Sequence, residues 1–305
     1  VIRVLVTGAR GQVGAAVAGA LAGRAEVRAH DRATLDLASP DALRAFVRAE
    51  RPQLIVNAAA YTAVDRAESE PEAARAVNAL APAVLAEEAR RLGALLVHYS
   101  TDYVFDGTRS TPYVEDDAAH PLGAYGRTKL EGEQAIAASG CRHLVLRTSW
   151  VYAPRGKNFL LTMLQLAGTR EEVRVVDDQV GAPTSSLQLA RATLAILAGG
   201  APGPLPAAGL EHAAACSGLY HATAAGAVSW HGFAAAIFER WTALSPQPFR
   251  APRLVAIASR DYPTPTARPA NSRLDCSRLA GTFGVRMEPW EEGLEEVLRV
   301  LRDRE

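Results

Sequence analysis

The sequence predicts a doubly wound parallel α/β sheet with a smaller C-terminal α/β lobe, and three observations carry that prediction. Short β-branched or aliphatic runs alternate with longer Ala- and Leu-rich stretches at helical spacing through the first half of the chain. Strict alternation of this kind is the pattern of strands joined by crossover helices. The strand runs are continuously apolar, as a sheet covered on both faces requires. A glycine-rich segment follows directly on the first run, where such sheets bind their ligands.

Taken in order, the strand runs are Val1–Val6, Glu26–Ala29, Leu54–Asn57, Leu95–Ser100, His143–Thr148 and Val173–Val176. The helical stretches between them are Val13–Ala22, Pro40–Glu50, Glu70–Arg91, Tyr125–Ala138 and Phe159–Leu166. Ser39-Pro40 predicts a helix start, because Ser caps and Pro at the first helical position loses no needed hydrogen bond. From about Asp177 the rhythm changes. Thr184–Ala198, Ser229–Trp241 and Glu291–Arg302 read as helices, Gly199–Gly209 as a flexible surface loop and Asp261–Pro269 as a proline-punctuated loop. The expected organisation is a dinucleotide-binding domain over residues 1–150 and a substrate lobe over 151–305, interleaved so that part of the second returns to the first.

Composition removes several function classes. The 305 residues carry 33 Lys+Arg against 33 Asp+Glu, so no net field favours nucleic acid or an acidic membrane surface. No apolar run reaches the ~20 residues that span a bilayer. The opening run is too short for a signal peptide, and a cytoplasmic protein is expected. Cys141, Cys216 and Cys276 are odd in number and far apart, which suits a reducing compartment. The seven His show no metal-ligand spacing, and no metal site is assigned.

The glycine segment is Gly8-Ala9-Arg10-Gly11-Gln12-Val13-Gly14, with a helix beginning inside it. Glycines let the backbone turn tightly and approach a pyrophosphate, whose charge meets the free N–H groups at the helix start. This predicts a Rossmann-type nicotinamide dinucleotide site. Asp31, at the end of the second strand run, is placed to accept from the adenosine ribose, which favours NAD. Arg10 and Arg32 are placed to meet a 2′-phosphate, which favours NADP, and dual or NADP-leaning use is expected. Asp36 and Leu37 border the adenine or form an ordinary turn.

The Gly-x-x-Gly-x-x-Gly spacing resembles the extended, sugar-nucleotide branch of the short-chain dehydrogenase/reductase superfamily. That resemblance implies a Tyr-x-x-x-Lys pair, and the chain has Tyr125-Gly126-Arg127-Thr128-Lys129. With eight Tyr and only two Lys, such a pair arises by chance roughly 0.05 times in this chain. On a helix the two positions share a face. An ammonium ~4 Å from the phenol is worth about 4 kcal/mol at an effective dielectric of about 20, enough to draw the phenol toward neutrality. Thr101, at the end of the fourth strand run, is the candidate partner for a keto oxygen, with a capping role as its plain alternative.

Longer segments narrow the resemblance. Asn57-Ala58-Ala59-Ala60-Tyr61-Thr62-Ala63-Val64-Asp65, Ser100-Thr101-Asp102-Tyr103-Val104-Phe105-Asp106-Gly107, Arg147-Thr148-Ser149-Trp150-Val151-Tyr152, Asp178-Gln179-Val180-Gly181-Ala182-Pro183-Thr184 and Arg268-Pro269-Ala270-Asn271-Ser272 are all similar to dTDP-4-dehydrorhamnose reductases. The resemblance implies cofactor contacts at Gly11, Gln12, Val13, Asp31, Asp36, Leu37, Ala60, Tyr61, Thr62 and Tyr99. It implies a catalytic set of Thr101, Tyr125 and Lys129, with Asp102, Tyr103, Trp150 and Asn158 toward the substrate. Trp150 would cover the sugar with an apolar face, and Arg268 would pair with a nucleotide phosphate through its planar fork. The implied reaction passes hydride from NAD(P)H to the C4 keto carbon of dTDP-4-dehydro-L-rhamnose, giving dTDP-L-rhamnose.

Two rival readings stand beside it. A sugar-nucleotide dehydratase or epimerase shares fold and Tyr/Lys pair, but the related dehydratases carry Thr-Asp-Glu where this chain has Thr101-Asp102-Tyr103. A non-catalytic subunit resembling the regulatory partner of methionine adenosyltransferase shares the fold without turnover. Some rhamnose reductases form dimers bridged by magnesium through a carboxylate just after the glycine loop. Here that region is Ala15-Ala16-Val17, which puts the Mg bridge in doubt and leaves a homo-oligomer open.

Overall fold

The computed structural model describes residues 1–245 and 247–304. In chain order the first half comprises β1 (Arg3–Thr7), α1 (Gln12–Leu21), β2 (Glu26–His30), α2 (Pro40–Glu50), β3 (Leu54–Asn57), α3 (Val64–Ser69), α4 (Pro71–Arg75), α5 (Ala81–Leu92), β4 (Leu95–Thr101), α6 (Ala124–Ser139) and β5 (Arg142–Thr148). The second half comprises β6 (Val151–Tyr152), α7 (Phe159–Ala167), β7 (Glu172–Val176), β8 (Val180–Gly181), β9 (Thr184–Ser185), α8 (Ser186–Ala198), α9 (Ala207–Ala215), β10 (Gly218–His221), β11 (Val228–Ser229), α10 (Trp230–Leu244), β12 (Arg253–Ile257), α11 (Ser277–Phe283) and α12 (Trp290–Arg302).

Six strands form one parallel sheet in the order β10-β5-β4-β3-β1-β2. The chain steps from β1 to β2 on one side and then to β3 on the other. The sheet therefore reverses direction between β1 and β3, and the crevice outside their carboxyl ends is where ligands of such sheets bind. Successive strand residues feed opposite faces. Val4, Val6, Val56, Val97 and Leu146 pack with Val17 and Leu21 of α1 and with Leu189 and Ile196 of α8. Leu5, Ile55, Leu96 and Val145 pack with Leu43, Val84, Leu85 and Ile136 of α2, α5 and α6. A third cluster gathers Leu160, Val173, Phe233, Trp241, Trp290 and Leu298 from α7, β7, α10 and α12, so it is built wholly from the second half of the chain. No helix among the described residues is long and apolar enough to cross a membrane.

The structure departs from the sequence reading at several elements. The single helix expected over Glu70–Arg91 is three pieces: α4, a wide π-type turn over Ala76–Leu80, and α5. Pro82 in the first turn of α5 lacks an N–H and crowds the preceding carbonyls, which the wider turn accommodates. Helix α2 starts at Pro40 as predicted, but the Ser39 side chain makes no capping bond. The loop expected to run to Gly209 ends earlier, because α9 begins at Ala207. Strands β10 and β12 and helices α3 and α11 carried no sequence prediction. Thr184 and Ser185 are strand, and the helix read from Thr184 begins at Ser186, where Ser185 and Gln188 close a capping box.

Candidate active site

The glycine segment links β1 to α1, and close approach explains its glycines. Gly8 has φ +69°, and a Cβ there would stand 2.7 Å from Ala59 N on the segment leaving β3. A Cβ on Gly14 would stand 2.2 Å from the Gly8 carbonyl oxygen. The start of α1 has no capping side chain and no acid in its first turn, so its N–H groups and positive dipole end are not neutralised from within the chain. These features fit a dinucleotide pyrophosphate. Gln12 Oε1 accepts from Asn158 Nδ2 at 2.9 Å, tying the segment to the start of α7.

Arg10 and Asp31 form an ion pair, Nε to Oδ2 2.6 Å, with the Arg10 side chain 83% exposed. Partial desolvation raises the Asp31 pKa, but the Ala33 N–H, Arg10 and Thr34 more than reverse this and hold the carboxyl below its usual range. Asp31 and Arg10, the two opposed signals for cofactor choice, thus lie together at the end of β2. Asp36 accepts from Ala38 N at 3.0 Å in a tight turn, and Leu37 is buried in the core under α2.

Ala60, Tyr61 and Thr62 leave the carboxyl end of β3. Asn78, in the wide turn before α5, pins them: it accepts from Tyr61 N at 2.8 Å and donates to Tyr61 O at 3.1 Å and Thr128 Oγ1 at 3.2 Å. The Tyr61 phenol donates to Glu70. The Tyr99 side chain turns to the opposite sheet face and bonds Thr193 of α8, so its carbonyl alone faces α6.

Thr101 and Tyr125 meet at the carboxyl end of β4, under α6, and Lys129, one turn further along α6, is directed at the same strand. Thr101 Oγ1 donates to Asp102 Oδ1 at 3.1 Å and accepts from Tyr103 N at 3.2 Å. It therefore caps a short turn as well as facing Tyr125. Tyr103 meets the Tyr125 ring edge-on, centroids 5.6 Å apart. The close seating of α6 depends on Gly126, where a Cβ would stand 2.2 Å from the Tyr103 carbonyl oxygen. Lys129 is buried, its Nζ 2.6 Å from Tyr99 O and 3.1 Å from His98 Nε2.

The electrostatics correct the expected activation of the phenol by Lys129. Burial pushes the Tyr125 pKa up to about 12; the Thr101 hydroxyl lowers it and the Asp102 carboxylate raises it. Lys129 is not among these influences, because its nitrogen is directed at His98 and Tyr99 O. Burial presses Lys129 itself down to about 8, partly offset by Glu133. Asp102 is pushed up to about 6 by burial, against the lowering effect of the Ser272 and Thr101 hydroxyls.

Trp150 differs from expectation. Its φ is +49°, a left-handed conformation that costs a bulky residue energy and is held only by its surroundings. Trp230 stacks on one face at 3.6 Å between centroids and 7° between planes. A Cβ on Gly181 would stand 2.6 Å from Trp150 Cε2 and 2.9 Å from both Cζ2 and Nε1, the distances of an atom above the ring. Trp230 fills one face, so Gly181 lies on the other. Both faces are occupied, and only the ring edge is left to meet a sugar.

Asn158 caps α7, accepting from Leu161 N at 3.1 Å while its Nδ2 donates to Gln12 Oε1 and Ala153 O, each at 2.9 Å. Its side chain is fully used in holding the chain, which accounts for it without a ligand. Arg268 Nη2 donates to Asp65 at 2.8 Å, its Cζ lies 5.9 Å from the Tyr103 ring centroid, and its Nη1 is buried with no partner. Sequence reasoning missed Asn78, Asp65 and His98 as parts of this site. The signal for His98 was a lone ionisable residue inside an apolar strand run; for Asn78 it was a polar residue inside a helix just ahead of a proline.

The family model described as the RmlD substrate binding domain matches residues 2–302. A dTDP-4-dehydrorhamnose reductase of Burkholderia thailandensis is 48% identical over 95% of both chains. A crystal structure of a dTDP-4-dehydrorhamnose reductase from Clostridium acetobutylicum superposes with TM-score 0.88 at 36% identity, covering 98% of this chain and 99% of that one. The enzyme of that name from Bacillus anthracis, solved in complex with NADP, superposes with TM-score 0.86 at 32% identity over 97% and 98% of the two chains. A glycine cradle at the sheet's reversal point, a Thr/Tyr/Lys cluster one strand away and this full-length similarity agree: the chain belongs to the dTDP-4-dehydrorhamnose reductase family.

Proposed function

We propose that this chain reduces the C4 keto group of dTDP-4-dehydro-L-rhamnose to the hydroxyl of dTDP-L-rhamnose, using NADPH or NADH. The observation that supports this reading is the contact of Thr101 with Tyr125 at the carboxyl end of β4, on the helix that also carries Lys129 against that strand. The nicotinamide cofactor, when bound, supplies the hydride. The residues of the chain supply position and the proton. Thr101 and Tyr125 hydrogen-bond the keto oxygen, and the Tyr125 phenol gives it a proton as charge develops there. The high pKa of Tyr125 keeps the phenol protonated and ready to donate at neutral pH.

Lys129 would hold the nicotinamide ribose hydroxyls, its nitrogen being directed at His98 and Tyr99 O and not at the phenol. Arg268 keeps one arm of its fork on Asp65 and turns the unpartnered Nη1 to a diphosphate oxygen. Trp150 presents its edge to the sugar, fixed in place by Trp230 and Gly181. Arg10, exposed beside Asp31, favours NADPH by meeting a 2′-phosphate.

The test is to supply dTDP-4-dehydro-L-rhamnose with NADPH and NADH separately and follow loss of the reduced-nicotinamide absorbance. Turnover by the wild type, reduced about 10²–10⁴-fold in Tyr125→Phe, is expected. Cofactor binding without turnover would sink the substrate assignment.

A further inference from the structure

Three neighbouring strands of the sheet carry polar side chains in register. Thr7 of β1 pairs with Asn57 of β3, and Asn57 with His98 of β4. All three are at most 1% exposed. They join Lys129 in one chain of contacts: Thr7 Oγ1 to Asn57 Oδ1 2.6 Å, Asn57 Nδ2 to His98 Nδ1 2.9 Å, and His98 Nε2 to Lys129 Nζ 3.1 Å.

Counting donors and acceptors leaves two consistent proton arrangements. In the arrangement found, Thr7 donates to the Asn57 carbonyl oxygen, so the Asn57 amide N–H faces His98 Nδ1, which must accept. His98 then carries its proton on Nε2 and donates to Lys129, whose nitrogen accepts only as a free amine; that amine still donates to Tyr99 O. The second arrangement serves the ammonium, which has no lone pair. His98 Nε2 must then accept, Nδ1–H donates to the Asn57 oxygen, and the amide is turned over to offer N–H to Thr7. Protonating the imidazole instead is disfavoured, since burial and the adjacent Lys129 hold His98 well below its ordinary pKa.

The other groups around Lys129 do not fix its charge. Glu133, one turn along α6, is bound to Arg147 of β5, and Tyr125, one turn back, faces Thr101. Among the described residues, no carboxylate lies within ion-pair distance of the Lys129 nitrogen, so neutral partners decide which form is held.

We infer that His98 is a positioning residue for Lys129, and that the Thr7–Asn57–His98 chain switches His98 tautomer and Asn57 orientation together as Lys129 gains or loses its proton. The inference rests on the role proposed for Lys129, but its readout needs no turnover. It places the switch at the sheet's reversal point, between the glycine segment and the catalytic helix.

The test is nitrogen NMR of imidazole-labelled full-length protein across the pH range in which Lys129 titrates, the His98 signals being identified by their loss in His98→Phe. The expected result is Nδ1–H at low pH and Nε2–H at high pH, with the change lost in Lys129→Met. A single His98 tautomer throughout, or a change that persists in Lys129→Met, would overturn the inference. In the proposed reaction, the limb of the kcat/KM profile governed by Lys129 should move down by about one pH unit in His98→Phe, because the ammonium loses its charge-assisted acceptor, the stronger of the two bonds His98 can make to it. An unmoved limb counts against the inference; absence of turnover in the wild type counts against the proposed substrate and leaves the NMR result standing.

Discussion

Helix α6 buries two charged side chains one turn apart and neutralises them differently. Glu133 meets Arg147 in a two-pronged ion pair, Nη2 to Oε2 2.6 Å and Nε to Oε1 3.0 Å, with both side chains under 8% exposed. The Phe105 ring lies 5.0 Å from the guanidinium carbon. Lys129 has only a backbone carbonyl and an imidazole. The first turn-neighbour is braced: each charge is cancelled, and the pair fastens α6 to β5. The second is poised, because neutral partners leave its proton exchangeable near physiological pH. A buried charge matched by its opposite is fixed in one state, whereas one matched by dipoles can serve chemistry.

Substituting each member separates the two roles. Arg147→Met leaves Glu133 buried without a partner and should destabilise the fold by about 3–5 kcal/mol in denaturant unfolding. Replacing Glu133 by Leu as well should recover much of that loss; if it does not, the pair is not the brace described here.

Lys129→Met should do the reverse, lowering kcat/KM about 10²–10³-fold with stability changed by only about 1 kcal/mol at neutral pH. Burial of an ammonium is relieved while Tyr99 O loses its donor, and the two effects oppose. The pH dependence sharpens this. The Lys129 pKa falls from 10.5 to about 8 on folding, so between these values the unfolded chain binds the extra proton. Wild-type stability should therefore rise from about pH 8 to 10.5, and Lys129→Met should lack that rise.

Asp102 extends the contrast to the floor of the site. Its pKa rises from 3.8 to about 6 on folding, so its stabilising contribution is full below 3.8 and lost as pH climbs through about 6. Asp102→Asn should remove this slope and be more stable than wild type at neutral pH by about 3 kcal/mol in pH-resolved unfolding. Equal slopes in both proteins would mean that Asp102 is not the buried carboxylate responsible.

Much of the fold was legible because its signals are local. The alternation of apolar runs and helical stretches placed the five strands of the first half to within a residue or two, as β1, β3, β4 and β5 each hold a run of buried aliphatic residues between the helical stretches. Strand β10, which completes the sheet, stayed hidden: Gly218–His221 is four residues long and acquires its order by pairing with β5. Helix α8 was readable as a helix, but not as the partner of α1 on the same face of the sheet.

In the candidate site, the sequence by itself determined what depends on short spacing. Three glycines within seven residues, and a Tyr and Lys four apart on one helix, are near neighbours in any conformation that forms the helix. The tertiary structure decided what depends on separation. His98 meets Lys129 across 31 residues, Asn57 meets His98 across 41, and Arg268 meets Asp65 across 203. Trp150 is clamped between Gly181 and Trp230, and Lys129 is turned from Tyr125 toward β4. Those arrangements follow from sheet register and from how closely α6 seats on the strands. Packing brings residues distant in sequence within hydrogen-bonding reach, and local periodicity carries no record of which ones.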